Sequence, residues 1–219
     1  MADRNMTDIY LHEASYRGRA AVEKLGQYAV TICGAGALGS LLADNLARQG
    51  IRHLTLIDFD RIEEHNAGTQ LYGASDVGAK KVNVLRSHLF RSVGVEAAVF
   101  DRRLDERNAK KFLRGAQLVV DTFDNAVSRR LVTDHCRQNE IDCLHLGMNA
   151  DYGEVRWNEV YQVPGDVVEG DVCDYPLARN LILLVVAAGS EAVLRYVLDG
   201  HKENYTVTLR DLMISQSDY

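Results

Sequence analysis

The chain is short of the features that mark several protein classes. Among 219 residues there are only two prolines and no Ser/Gly-rich run, which argues against a disordered linker. The four cysteines, Cys33, Cys136, Cys143 and Cys173, form no C-x-x-C pair, so neither a disulfide framework nor a four-thiolate zinc site is indicated. No basic start followed by an apolar stretch suggests a signal peptide, and the chain reads as cytoplasmic. A membrane partner is not expected. The most apolar segment, Leu177 to Leu198, is interrupted by Arg179, Asn180, Glu191 and Arg195, which fits a buried amphipathic helix. Basic excess is also missing: 25 Lys+Arg against 31 Asp+Glu give a charge of −6, which makes nucleic acid an unlikely main partner. No internal repeat interrupts a length suited to one substantial core.

What is present is a nucleotide-binding unit in working order. Ala29 to Cys33 is β-branched and apolar and reads as a buried strand. It runs into Gly34, Gly36 and Gly39 in G-x-G-x-x-G spacing. Leu38, Leu41, Leu42, Asn45, Leu46 and Gln49 then recur at helical spacing until Gly50, and His53 to Ile57 forms a second strand ending in Asp58. In such a βαβ unit the glycines let the backbone approach a polyphosphate, the helix N-terminus offers free N–H groups, and the terminal acid accepts ribose hydroxyls. The motif alone does not say which nucleotide is bound.

Residues 1–27 read as an arm with a short helix, and 28–219 as a single domain. A polar loop is expected over 61–75, then a helix from about Val77 to Phe90, a strand over Val95 to Phe100, and a helix at 105–114. A strand over Gln117 to Asp121, a helix over Ala126 to Gln138 and a strand over Ile141 to His145 follow. The alternation predicts an α/β fold with a doubly wound, mostly parallel sheet. Gly153 to Val163 and Tyr205 to Leu209 read as antiparallel C-terminal additions, separated by a crossover loop at about 164–176 and a long helix at about 177–199.

Ligands of such sheets bind beyond the carboxyl ends of the strands. Three polar sets fall there: Asp58 and Asp60; His65, Asn66, Thr69 and Gln70; and Asp121, Asp124 and Asn125. Lys81 follows the second set. A lysine beside a triphosphate stabilises charge building on phosphorus, and a carboxylate such as Asp124 can hold magnesium. The plainer alternatives are an exposed helix lysine for Lys81 and a helix N-cap for Asp124. A nicotinamide enzyme would need no second carboxylate-and-lysine set here.

Over about residues 25–200 the chain resembles the ubiquitin-activating enzyme superfamily in its compact ThiF/MoeB/HesA form. The resemblance is carried by GAGALGS at 34–40, Asp58 and Asp60, IEEHNAGTQLY at 62–72, DVGAKKV at 76–82, and DTFDN with Arg129 at 121–129. It implies a Rossmann-like fold and ATP-dependent adenylation of the C-terminal carboxylate of a ubiquitin-like or sulfur-carrier protein ending in Gly-Gly. ATP and Mg²⁺ are the implied cofactors. By position, Gly34, Gly36, Gly39, His65, Thr69 and Gln70 would line the nucleotide with Asp60. Asp58 would take the ribose, Asn66 and Lys81 the phosphates and Asp124 the metal, with Asn125 and Arg129 supporting the last loop. A homodimer, and a separate conjugating enzyme or sulfur donor, are further implications. Cys173 matches in place a loop cysteine that can capture the activated carboxylate; the alternative is an ordinary loop cysteine.

Two departures stand out. The family's usual arginine before the loop glutamine is Thr69 here, which exchanges a guanidinium for one neutral hydrogen bond. Arg61, or Arg17 or Arg19 reaching across a dimer, would be replacements. The paired C-x-x-C motifs are absent, so zinc is not expected, and the crossover loop is expected to be mobile without a partner. Rival readings are a catalytically silent scaffold or heterodimer half, adenylation of a small molecule or RNA base, and a nicotinamide oxidoreductase.

Overall fold

Strands and helices alternate through the first two thirds of the computed structural model, which describes residues 9–165 and 176–217. Two short helices, α1 (Leu11–Arg17) and α2 (Arg19–Gly26), precede β1 (Ala29–Cys33). Then come α3 (Ala37–Arg48), β2 (His53–Ile57), α4 (Lys81–Val93), β3 (Ala98–Phe100), α5 (Ala109–Phe112), β4 (Leu118–Asp121) and α6 (Ala126–Gln138). The chain continues through β5 (Asp142–Asn149), β6 (Tyr152–Trp157), α7 (Arg179–Asp199), β7 (Asn204–Thr208) and β8 (Met213–Ser217). The sheet order is β3-β2-β1-β4-β5-β6-β7-β8. The first five strands pair in parallel, as the alternation predicts, and the last three join antiparallel.

The period-two alternation of the parallel strands divides the core between the two faces of the sheet. Val30, Ile32, Leu118, Val120, Leu144 and Leu146 face one side, with α3, α4 and α7. Cys33, Val119 and Cys143 face the other, with Phe112 of α5 and Val132 and Cys136 of α6. Helix α7 is long and apolar enough to cross a membrane by composition alone. Here it buries Leu181, Ile182, Val185, Val193 and Leu194, and its Ser190 Oγ accepts a 2.8 Å bond from Asn45 Nδ2 of α3. Each fully buried aliphatic side chain stabilises the packing by roughly 1.5–3 kcal/mol.

Several boundaries differ from the sequence expectation. Helix α4 starts at Lys81 instead of Val77, because 77–80 forms a turn that pairs back against the β2 exit, with a bridge between Lys80 and Arg61. Ile62 N donates to Ala79 O at 2.9 Å and Gly78 N to Ile62 O at 2.8 Å, with Gly78 at φ +87°. The loop at 61–75 holds two 3₁₀ turns, Glu64–Gly68 and Ala74–Asp76. Strand β5 runs on to Asn149 because it forms a hairpin with β6, and β6 stops at Trp157, where Tyr161 N turns back to Trp157 O at 3.0 Å. Strand β8 was not expected; its M-I-S-Q-S sequence carries little apolar alternation. The expected crossover loop falls mostly on 166–175, outside the described residues.

Candidate functional site

The strand order reverses between β1 and β4, so the loops leaving these two strands flank one crevice. Thr122, the first residue after β4, bridges them. Its Oγ1 lies 3.0 Å from the carbonyl of Cys33 and 3.2 Å from that of Gly34. The three motif glycines do different work. Gly34 adopts φ +99°. A Cβ on Gly39 would stand 2.0 Å from Gly34 O and 2.6 Å from Thr122 Oγ1, so this glycine lets α3 pack against the turn. A Cβ on Gly36 would meet nothing within 4 Å, and the α3 N-terminus beside it has no side-chain cap. That open space next to unspent N–H groups suits a polyphosphate.

Asp58 sits at the exit of β2, 7% exposed. Its two oxygens accept from Ala35 N and Asp60 N, both at 2.7 Å, which orients the carboxylate across the glycine turn. Burial raises its pKa, opposed by Lys81 and by these two backbone donors. Lys81 is 8% exposed, so it is no solvent-facing helix lysine, and its Nζ donates to Asp60 Oδ2 at 3.2 Å. Asn66 is buried: Oδ1 accepts from Glu63 N at 2.9 Å, and its backbone carbonyl accepts from Gln70 N at 2.8 Å. Gln70 is 9% exposed with Oε1 unpartnered, an orphan expected to meet a ligand or water. Thr69 is half-buried in the same turn. His65 departs from the set: it is exposed and faces Glu63 at 3.5 Å.

On the far side of the crevice, Asp124 is exposed. Helix α6 is capped by Asn125, whose Oδ1 accepts from Ser128 N at 2.9 Å, so the Asp124 carboxylate is not consumed by capping. It receives a 3.3 Å bond from Asn125 Nδ2. Arg129 is buried beneath this loop, donating to Leu146 O at 2.7 Å and Tyr161 Oη at 2.9 Å, with Asp121 Oδ2 at 3.5 Å. Burial acts to raise the Asp121 carboxyl, but the Arg129 charge and a hydrogen bond from His145 outweigh it and hold the pKa below the ordinary value.

Two of the three replacements for the missing arginine are otherwise engaged. Arg17 is held within its own chain by Glu191 Oε2 at 2.6 Å and Glu13 Oε2 at 3.0 Å. Arg61 donates to Gly78 O at 2.7 Å. Arg19 is exposed. Arg103 stands 4.7 Å over the Phe59 ring beside the Asp58 turn. Cys173 lies outside the described residues. The other three cysteines are fully buried, and burial pushes the Cys33 and Cys143 thiols well up.

Sequence reasoning missed Thr122, Tyr72, His145 and Tyr161. Tyr72 Oη donates to Ala35 O at 2.7 Å, securing the glycine turn from the side. Thr122 follows β4 and His145 lies within the apolar run of β5, while Tyr72 and Tyr161 lie in loops, so none is informative until the packing is known.

The ThiF family model matches residues 10–166. Among curated proteins, the chain is 35% identical over 135 residues to the adenylyltransferase and sulfurtransferase MOCS3 of Mus musculus, covering 61% of this chain and 29% of that protein. It is 30% identical over 146 residues to the SAMP-activating enzyme E1 of Haloferax volcanii, covering 65% and 53% respectively. With the tRNA threonylcarbamoyladenosine dehydratase of Haemophilus influenzae, 30% identity extends over 130 residues, 58% of this chain and 50% of the relative. The chain thus spans about half or less of the length of these relatives. In structure it is similar to E. coli MccB with MccA-N7isoASN, at a TM-score of 0.81 and 18% identity over 98% of this chain and 72% of that one.

Proposed function

The chain belongs to the ThiF family, and from that premise we propose that it adenylates the C-terminal carboxylate of a ubiquitin-like or sulfur-carrier protein ending in Gly-Gly. The observation that carries this reading is the opposition of two prepared sides across one crevice: the open Gly36 turn with buried Lys81 and Asp58, and the exposed Asp124 carboxylate, which takes no part in the helix cap. Adenylyltransferases among the curated relatives support the same chemistry.

The nucleotide's phosphates lie against the α3 N-terminus and its ribose on Asp58. A carboxylate oxygen of the carrier attacks the α-phosphorus, an oxygen–phosphorus bond forms, and the bond to the β-phosphate oxygen breaks with its electron pair leaving on pyrophosphate. Lys81 stabilises negative charge on the phosphoryl oxygens. A magnesium ion fits this donor set, because it binds through one or two carboxylates and otherwise through phosphate oxygens and water. Asp124 would hold it, and the ion would neutralise phosphate charge. Thr69 contributes a hydroxyl where a guanidinium is usual, so Lys81 carries more of the charge stabilisation.

After adenylation, Cys173 would receive the activated carboxylate as a thioester with AMP leaving, a role that rests on the family resemblance. A homodimer and a cytoplasmic location belong to the same proposal. Labelled pyrophosphate exchange into ATP, with a panel of Gly-Gly-ended carriers, tests the reaction. Carrier-dependent exchange that is lost in Asp124→Ala supports it. Nucleotide and carrier binding without exchange supports the second reading, a catalytically silent partner subunit, which the Thr69 position favours.

A further inference from the structure

We infer that His145 is a positioning residue for the loop that carries Asp124, acting through Asp121; the inference rests on the adenylation reading for its consequence at the nucleotide, not for the positioning itself. Alternation along β5 places His145 on the α6 face of the sheet, where Cys143 and Val119 are its apolar neighbours, and it is fully buried. A polar ring in such a layer costs stability unless its nitrogens are satisfied. One is held firmly: Nδ1 donates to Asp121 Oδ2 at 2.9 Å, while Nε2 lies 2.9 Å from the Asn158 side-chain amide. The Asn158 amide nitrogen is turned away to Thr133 O at 3.4 Å. The ring face stacks on Tyr161, with centroids 3.8 Å apart and planes 9° from parallel.

Asp121 passes this constraint to the loop. Its other oxygen accepts from Phe123 N at 3.1 Å, so the carboxylate orientation fixes how the chain turns out of β4 toward Asp124. Arg129, the residue expected to brace this loop, has its short bonds to Leu146 O and Tyr161 Oη and reaches Asp121 only at 3.5 Å. The close side-chain partner of Asp121 is therefore His145. A mid-strand histidine chosen for packing alone would have no reason to be set against Asp121, Asn158 and the Tyr161 ring at once.

Two substitutions separate the hydrogen bond from the ring. His145→Asn keeps a donor near the Nδ1 position and loses the stacked ring; His145→Phe keeps the ring on Tyr161 and loses the donor. Hydrogen–deuterium exchange of the ligand-free protein at amides 122–125 is the readout, with Trp157 emission and urea unfolding as fold controls. His145→Phe accelerates exchange in this loop by about tenfold, the scale of one lost hydrogen bond to a charged group. His145→Asn stays close to the parent, and β7 amides change in neither. Should the Phe variant not fold, His145→Gln, whose amide sits toward the Nε2 end, is compared with Asn and loosens the loop where Asn does not. Protection in His145→Phe equal to the parent, or equal loosening in Asn and in Phe or Gln, overturns the inference.

The consequence at the site is read by titrating Mg²⁺ into the protein with a non-hydrolysable ATP analogue. The loosened variant needs about tenfold more Mg²⁺ for half-maximal binding, as for other loss of support behind a metal ligand. Its affinity for the analogue without metal is unchanged. If the parent protein binds no analogue at all, the adenylation reading fails, and the exchange data alone decide the role of His145.

Discussion

Lys81 Nζ lies 3.2 Å from Asp60 Oδ2, so the buried lysine of the nucleotide crevice is already paired before any phosphate arrives. The pair is asymmetric: the lysine side chain is 10% exposed and the aspartate 47%. A triphosphate entering beside the glycine turn therefore competes with a solvated carboxylate that gives up its partner at modest cost.

Lys81→Met is expected to lower pyrophosphate exchange by about 10²–10³-fold, the scale for removing one group aimed at developing charge. Asp60→Asn leaves the lysine in place and unpaired, and is expected to tighten nucleotide binding. Isothermal titration with ATP checks the second outcome; weaker binding in Asp60→Asn would show that the carboxylate itself contacts the nucleotide.

Gly36→Ala and Gly39→Ala separate function from folding within one motif. The added methyl at 36 enters open space, so stability is retained and ATP binding is lost. At 39 it meets Gly34 O at 2.0 Å and Thr122 Oγ1 at 2.6 Å, and destabilisation of about 1–3 kcal/mol or more is expected. Urea unfolding and ATP titration of both variants read the contrast.

Asp121 makes part of the stability pH-dependent. Its folded pKa lies below the ordinary value despite burial, because Arg129 and His145 favour the ionised form. Its contribution is therefore fully present above the ordinary carboxylate range, about pH 4, and is lost as pH falls through the depressed folded value. Asp121→Asn is expected to be less stable at neutral pH and to show a shallower loss of stability on acidification. Parallel acid limbs in urea unfolding of parent and variant would contradict this.

The Arg17–Glu191 pair bears on how the missing loop arginine is replaced. With Arg17 spent on its own α7, Arg17→Ala is expected to cost about 1 kcal/mol of stability and to leave exchange activity unchanged. Loss of activity that is restored by mixing with Lys81→Met protein would instead mean that Arg17 serves a partner's site.

Much of this was legible in the sequence for a physical reason. The parallel strands are buried on both faces and read as short apolar runs, and the glycine spacing fixes the first βαβ unit without tertiary information. Residues whose role depends on sequence neighbours, such as Asp58 beside the β2 exit, were found the same way. His145 and Tyr161 were not, because their partners lie 24 and 32 residues from them: the pairing of β4 with β5 sets Asp121 opposite His145, and the turn after β6 brings Tyr161 to Arg129 of α6. His65 shares a loop with Asn66, and the sequence does not show that the 3₁₀ turn buries one and exposes the other. The start of α4 was misplaced because the return of 77–80 against Ile62 is a long-range backbone pairing.

The central claim, attack of a carrier carboxylate on the α-phosphorus, is tested most directly by isotope transfer. A Gly-Gly-ended carrier with ¹⁸O in its terminal carboxylate is incubated with ATP and the protein, and the AMP released is examined by mass spectrometry. AMP bearing one carrier-derived ¹⁸O is expected, because the oxygen that bonded to phosphorus departs with AMP when the acyl group is taken by a thiol or water. Unlabelled AMP, or ADP as the nucleotide product, would contradict it.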